Sequence, residues 1–183
     1  GKVGDDGKLL VETAGKSYIN SIKANVDNEV WNVISPGLKK IWGGATRKAS
    51  AYMLDNARKI NMANATSSLE HILEYETNFI TNGQADETEY EYITSTKEKA
   101  FKLIEDNSDT SIKADNIKRT YATDLQGRVS TNAVTLGHAS GMTTGDLLKM
   151  AKETSDAFLN DKNVDSNIVY KSMLNEIARL DKI

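Results

Sequence analysis

Two histidines, His71 and His138, are the most chemically versatile side chains in this 183-residue chain, and their neighbours decide what each can do. His71 lies in "EHILEYE" (70–76), which places Glu70, His71 and Glu74 within about one helical turn. A di-iron helical bundle needs Glu-x-x-His on each of two helices and further glutamates on two others. Here the order is reversed and only one other histidine exists, so the ligands run short. A solvated helix face with local pairing is the preferred reading. His138 lies in "GHASGMTTGDLLKM" (137–150), with Gly137, Gly141 and Gly145 four apart. A phosphate loop needs G-x-x-x-x-G-K-[S/T] after a buried strand. No lysine follows Gly145, and the pattern upstream is helical. The stretch therefore reads as a helix junction. Gly137 or Gly141 closes one helix in the left-handed conformation, and Thr143 with Asp146 forms a capping box that opens the next.

Other catalytic arrangements have less to stand on. The chain has no cysteine, which excludes disulfides, thiolate metal sites and a Cys nucleophile. A Ser-His-acid triad lacks a nucleophile-elbow setting, and no dinucleotide-binding fingerprint is present. A helical glycoside hydrolase would place one Glu in an apolar pocket, but the sequence singles out no Glu for it. No metal or cofactor is expected.

Two surface patches remain. "ADETEYEY" (85–92) is acidic and rich in tyrosine, either a partner-binding surface or simply a helix N-terminus with its usual negative charge. An EF-hand loop is excluded by its spacing and missing glycine. "LKKIWGGATRK" (38–48) interleaves Lys39, Lys40, Arg47 and Lys48 with Trp42, the candidate interaction patch of this chain. Cations around an aromatic suit a nucleic acid or a membrane surface. The near balance of 23 Lys+Arg against 26 Asp+Glu favours a plainer reading, a core Trp flanked by solvated lysines.

The elements that must carry these residues are helices. One proline in 183 residues stands against roughly nine at average usage, which favours long helices joined by Gly, Asn and Asp turns. Apolar residues recur every three or four positions. Leu10, Ala14, Tyr18, Ile22, Val26, Val30 and Val33 form a first stripe, ended by "SPG" at 35–37. A short helix then meets a hinge at Gly43-Gly44. A long pattern runs from Ala45 through Tyr52, Ile60, Leu69, Ile72, Leu73 and Phe79, slipping across "NATSS" (64–68), where the helix bends or breaks. "TNGQAD" (81–86) is a turn, with Asp86 capping a helix whose face is Tyr90, Ile93, Lys97, Ala100, Phe101 and Ile104. "EDNSD" (105–109) interrupts, and a fourth pattern follows from about Thr110 through Ile112, Ile117, Tyr121, Leu125 and Val129, weakened by Gly127. The last two helices form a hairpin over 143–182. The first of them carries Leu147, Leu148, Ala151, Phe158 and Leu159. The second, capped by Asp165 or Ser166, carries Val169, Met173, Ile177 and Leu180.

The expectation is an all-α chain of about six helices, some long, in an irregular bundle or extended array. It forms one helical domain or fragment over 1–183, with a flexible lead over 1–8. No apolar run reaches the roughly 18 residues that span a bilayer, and "GKVGDDGK" has no signal-peptide core.

The texture of "SAYMLDNARKINMANATSSLEHILEYETNFITNG" and "GMTTGDLLKMAKETSDAFLNDKNVDSNIVYKSMLNEIARL" resembles the helical segments of phage internal virion proteins, which are ejected with the genome. The likeness lies in being Cys-free, Pro-poor and rich in Ala, Asn and Ser/Thr caps. It spans roughly residues 45–183 and contains no motif, so it transfers no residue role. It implies a virion component that assembles with others. The expected function is a non-enzymatic structural or protein-interaction module, acting through other proteins or copies of itself. The alternatives are a small-ligand sensor bundle and the helical hydrolase.

Overall fold

The computed structural model describes residues 3–83 and 86–182, with side chains from Leu9 onward. Every regular element among them is helical: α1 (Val3–Ala24), α2 (Asn28–Asn82), α3 (Glu87–Asn107), α4 (Ser111–Ala139), α5 (Thr144–Ala157) and α6 (Ser166–Leu180). The chain is all-α, as its periodicity requires. None of these helices is long and apolar enough to cross a membrane. The chain divides into two compact units, one ending at Asn61 and the other beginning at Met62, so α2 contributes to both.

Helices α1 and α2 correct five expected boundaries. α1 already begins at Val3, so residues 3–8 are helical rather than a flexible lead; residues 1 and 2 lie outside the described residues. The stripe drawn from Leu10 to Val33 is two helices, broken at residues 25–27. There the Asn25 side-chain amide donates to the carbonyl of Ser21 at 2.7 Å, and the Asp27 carbonyl accepts from Trp31 N–H at 2.8 Å. The Asn25 side chain thus captures a carbonyl of the last turn of α1, which ends without a proline, and the Asp27 carbonyl opens α2. Pro36 does not end one. It sits inside α2, where its missing N–H removes one rung of a ladder that continues on both sides. α2 likewise runs unbroken through Gly43-Gly44 and through 64–68. In that last stretch Thr66 turns its hydroxyl back onto the Met62 carbonyl at 2.9 Å, and Ala65 fills the slip in the stripe as a buried residue.

In the second unit, cross-helix contacts set the directions. α3 runs antiparallel to α2: Ser108 Oγ lies 3.9 Å from Met62 Sδ, Lys97 pairs with Glu76, and Tyr90 lies against Phe79. α4 returns parallel to α2, with Tyr121 bonded to Glu76 and Asn132 donating to Thr81 Oγ1 at 3.2 Å. α5 and α6 form the expected antiparallel hairpin. Ser155 Oγ bonds the Ser166 carbonyl at one end (3.2 Å), and Thr144 Oγ1 bonds Asp181 at the other (2.8 Å). α6 is parallel to α4: Asp165 N–H donates to Thr123 Oγ1 at 2.9 Å and, further along both, Thr135 Oγ1 donates to Glu176 at 2.8 Å.

Helix α4 is shared between two cores. Ala114, Ile117, Tyr121, Leu125 and Val129 meet Ala65, Leu69, Ile72 and Leu73 of α2 and Ile93, Ala100 and Ile104 of α3. Ala122 and Val134 meet Leu147, Ala151, Val164, Val169, Met173, Ile177 and Leu180. A helix buried on two sides has no single apolar stripe. The second face is instead marked by the small buried residues Thr123, Gly127, Ser130 and Gly137 at helical spacing, and it passed unread in the sequence. Ile112, placed on the expected stripe, is 70% exposed. Leu148 and Leu159 also leave their expected face and are exposed.

Candidate interaction surface

The junction at 137–150 is structural. Met142 N–H donates to the Gly137 carbonyl and Gly141 N–H to the His138 carbonyl, both at 3.0 Å, with Gly141 at φ +90°. This is the paired-bond closure that puts a left-handed glycine just past a helix end. Of the two glycines proposed for that role, Gly141 takes it. Gly137 is buried inside α4, and a Cβ there would meet Met142 Sδ at 2.7 Å. Thr143 and Asp146 then cap α5 reciprocally, as expected: Asp146 N–H donates to Thr143 Oγ1 at 3.2 Å and Thr143 N–H to Asp146 Oδ2 at 3.1 Å. The Thr143 hydroxyl, then its backbone N–H, holds the Asp146 carboxyl below the usual range. His138 is exposed in the last turn of α4, and the exposed His71 ring stacks on Tyr75 at 5.0 Å. Among the described residues no group of three or more His, Asp or Glu is placed to hold a metal ion.

Two carboxylates are mostly covered. Glu76, 14% exposed, is held by Lys97 and by the Tyr121 hydroxyl; Glu176, 12% exposed, by Arg179 and Thr135. Lys97, the polar member of the α3 stripe, thus finds its reason in Glu76. A groove of about 570 Å³ runs between α2, α4 and α6, floored by Gly127 and lined by Thr77, Thr131, Asn132 and Ser172. Three of its hydroxyls already donate to their own helices, Thr77 to Leu73, Thr131 to Gly127 and Ser172 to Ile168, while Glu74, Asn78, Thr123, Asp124 and Arg128 complete its polar lining.

The basic patch is split by the structure. Trp42 is half-buried, its ring lying where a Cβ on Gly15 would meet Cδ2 at 2.8 Å, with Tyr18 edge-on at 6.1 Å. The tryptophan therefore fills the space between α1 and α2. Lys39 and Arg47 border the same groove, beside Glu12 and Lys16. Lys40 and Lys48 do not line it; at 100° per residue Lys40 falls about 20° from Arg47, and the four cations together spread over about half the helix circumference. All four are exposed.

That geometry exposes a second surface the sequence had not suggested. Counting the helical turn, Val30, Ile41, Lys48 and Tyr52 fall within about 40° of one another on α2, with Val33 and Lys40 beside them. Val33 is 79% exposed, Ile41 68% and Tyr52 65%. The sequence pattern assigns Val30 and Val33 to the first stripe, Ile41 to the short helix before the hinge and Tyr52 to the long pattern after it. Their spacing fits a core-facing helix, and nothing local reveals that no core faces them.

In the second unit the acidic tyrosine segment is also exposed. Asp86 caps α3, its carboxylate accepting from Thr88 N–H at 2.9 Å, and Glu87 and Glu89 occupy the first turn. Tyr92 meets Tyr75 of α2 edge-to-face at 6.3 Å, which extends the ring contact begun by His71. Compared with known proteins, the chain matches no family model, no curated protein and no solved structure.

Proposed function

We propose that this chain is a non-enzymatic protein-interaction module whose first unit completes its apolar packing on a protein partner. One observation carries the reading. All eighteen buried apolar residues of the described chain lie in the second unit, from Ala65 onward. Among residues 9–61 the buried residue is Gly15, while Leu9, Leu10, Tyr18, Val30, Val33, Ile41, Tyr52, Leu54 and Ile60 are exposed. Apolar side chains gathered on helix faces without a core mark a surface made to be covered. The likeness to phage internal virion proteins fits the same reading, a component that works by assembling with others.

The test compares the full chain with its Ile41→Ser, Tyr52→Ser variant, each produced in the source cells and sized in the lysate. The wild type is expected in a complex well above its 20.1 kDa, and the variant at its own mass. Monomer mass for both proteins would refute the proposal.

A further inference from the structure

Building on that reading, we infer that the partner is a second copy of this chain, docked head to tail: the exposed stripe of α2 in one copy seats on the acidic tyrosine surface of the next. Charge is segregated along the sequence to a degree that the overall balance hides. Residues 35–61 carry six Lys and Arg against one carboxylate, Asp55. Residues 70–91 carry seven carboxylates and no Lys or Arg. The cations are placed among the exposed apolar residues, since Lys40, Lys48 and Arg58 share the side of α2 that carries Val33, Ile41 and Tyr52. The complementary surface offers Glu91 and Glu98 of α3 beside the exposed rings of Tyr90 and Tyr92. A cation is attracted both to a carboxylate and to a tyrosine face, and the ring supplies apolar area for Val and Ile. Each surface thus matches the other in both components.

Like-charge repulsion selects the mode. A symmetric dimer through the α2 stripe would set one basic segment against another, and one through the tyrosine surface would oppose two acidic segments. Joining unlike surfaces leaves each copy with one free end of each kind, and such contacts build chains or rings rather than closed pairs.

The purified full chain is followed by sedimentation equilibrium over a wide concentration range, at low and at about 0.5 M salt. The average mass is expected to rise past twice 20.1 kDa with concentration and to fall back in salt, which screens the charge pairing. Two variants separate the surfaces: Lys40→Glu, Lys48→Glu, Arg58→Glu in one, and Glu91→Lys, Glu98→Lys in the other. Each alone should associate at least about tenfold more weakly, with helicity by circular dichroism unchanged. Mixed in equal amounts they should recover association, because each reversed surface now faces its opposite. Strict monomers in the purified wild type, a closed dimer indifferent to either reversal, or a mixture that fails to recover would each overturn the inference. So would a monomer that binds anionic phospholipid vesicles or duplex DNA through the same cations. If the purified chain stays monomeric while the lysate complex still depends on Ile41 and Tyr52, the partner is another protein; the inference falls and the interaction module stands.

Discussion

At the scale of single residues, the second unit is pinned by two covered carboxylates. Glu76 accepts from Tyr121 and pairs with Lys97, joining α2, α3 and α4 at one point. Burial first, and then the bond to Glu76, push the Tyr121 phenol well above its ordinary value. Replacing Glu76 by Ala leaves a buried hydroxyl and a half-buried ammonium without their partner, and should cost about 3 kcal/mol in denaturant unfolding. Tyr121→Phe, which removes only one donor, should cost about 1 kcal/mol. Glu176 carries the acid-side dependence. Its bonds from Arg179 first and Thr135 second lower its carboxyl to about 2. A lowered carboxylate adds stability that is fully present above its unfolded value near 4.3 and is lost as pH falls toward 2. The wild type should therefore lose about 2 kcal/mol across that window. Glu176→Gln should show a flatter profile over the same range, read from urea midpoints at successive pH values.

At the scale of elements, three helical glycines make opposite predictions from one residue type. Gly127 leaves room, since a Cβ there would meet Ser172 Oγ at an ordinary 3.6 Å. Gly127→Ala should raise stability by up to about 1 kcal/mol, through the backbone freedom alanine removes from the unfolded chain. Gly15 leaves none, because Trp42 occupies the space. Gly15→Ala should push the ring outward and loosen α1 from α2, seen as a red shift in Trp42 emission when Trp31 is replaced by Phe. Gly137 sits between these cases, its obstacles being the side chains of Met142 and Leu147. Pro36 shows the same dependence on context: by residue type it marks a helix end, yet the end lies at Asn25–Asp27, where the Asn25 side chain takes a backbone carbonyl.

At the scale of the whole molecule, the two units differ in what holds them. The second buries two cores that share α4, whereas the first has Trp42 against Gly15 and no buried apolar core among its described residues. Helices without buried apolar contacts open at low free energy. Amides of residues 9–61 in the isolated chain should therefore exchange much faster than those of Leu69–Leu73 or Val169–Ile177, followed by mass spectrometry. On assembly the protection of Val30–Tyr52 should rise, as the exposed stripe is covered.

Local chemistry determined the helical class, the caps at Asp86 and Thr143, the junction between Gly137 and Thr143 and the core face of α6. Each of these depends on residues within a turn or two of one another, so spacing alone is enough to read them. Which apolar stripes are covered is a different matter. Val30, Ile41 and Tyr52 recur as regularly as Val169, Met173 and Ile177, yet the former are exposed and the latter buried. Periodicity records that a helix has an apolar side, while burial depends on whether another element, distant in sequence, arrives to cover it. For the same reason the second buried face of α4, the splitting of the Lys39–Lys48 patch and the partnership of Lys97 with Glu76 were decided only by the tertiary structure.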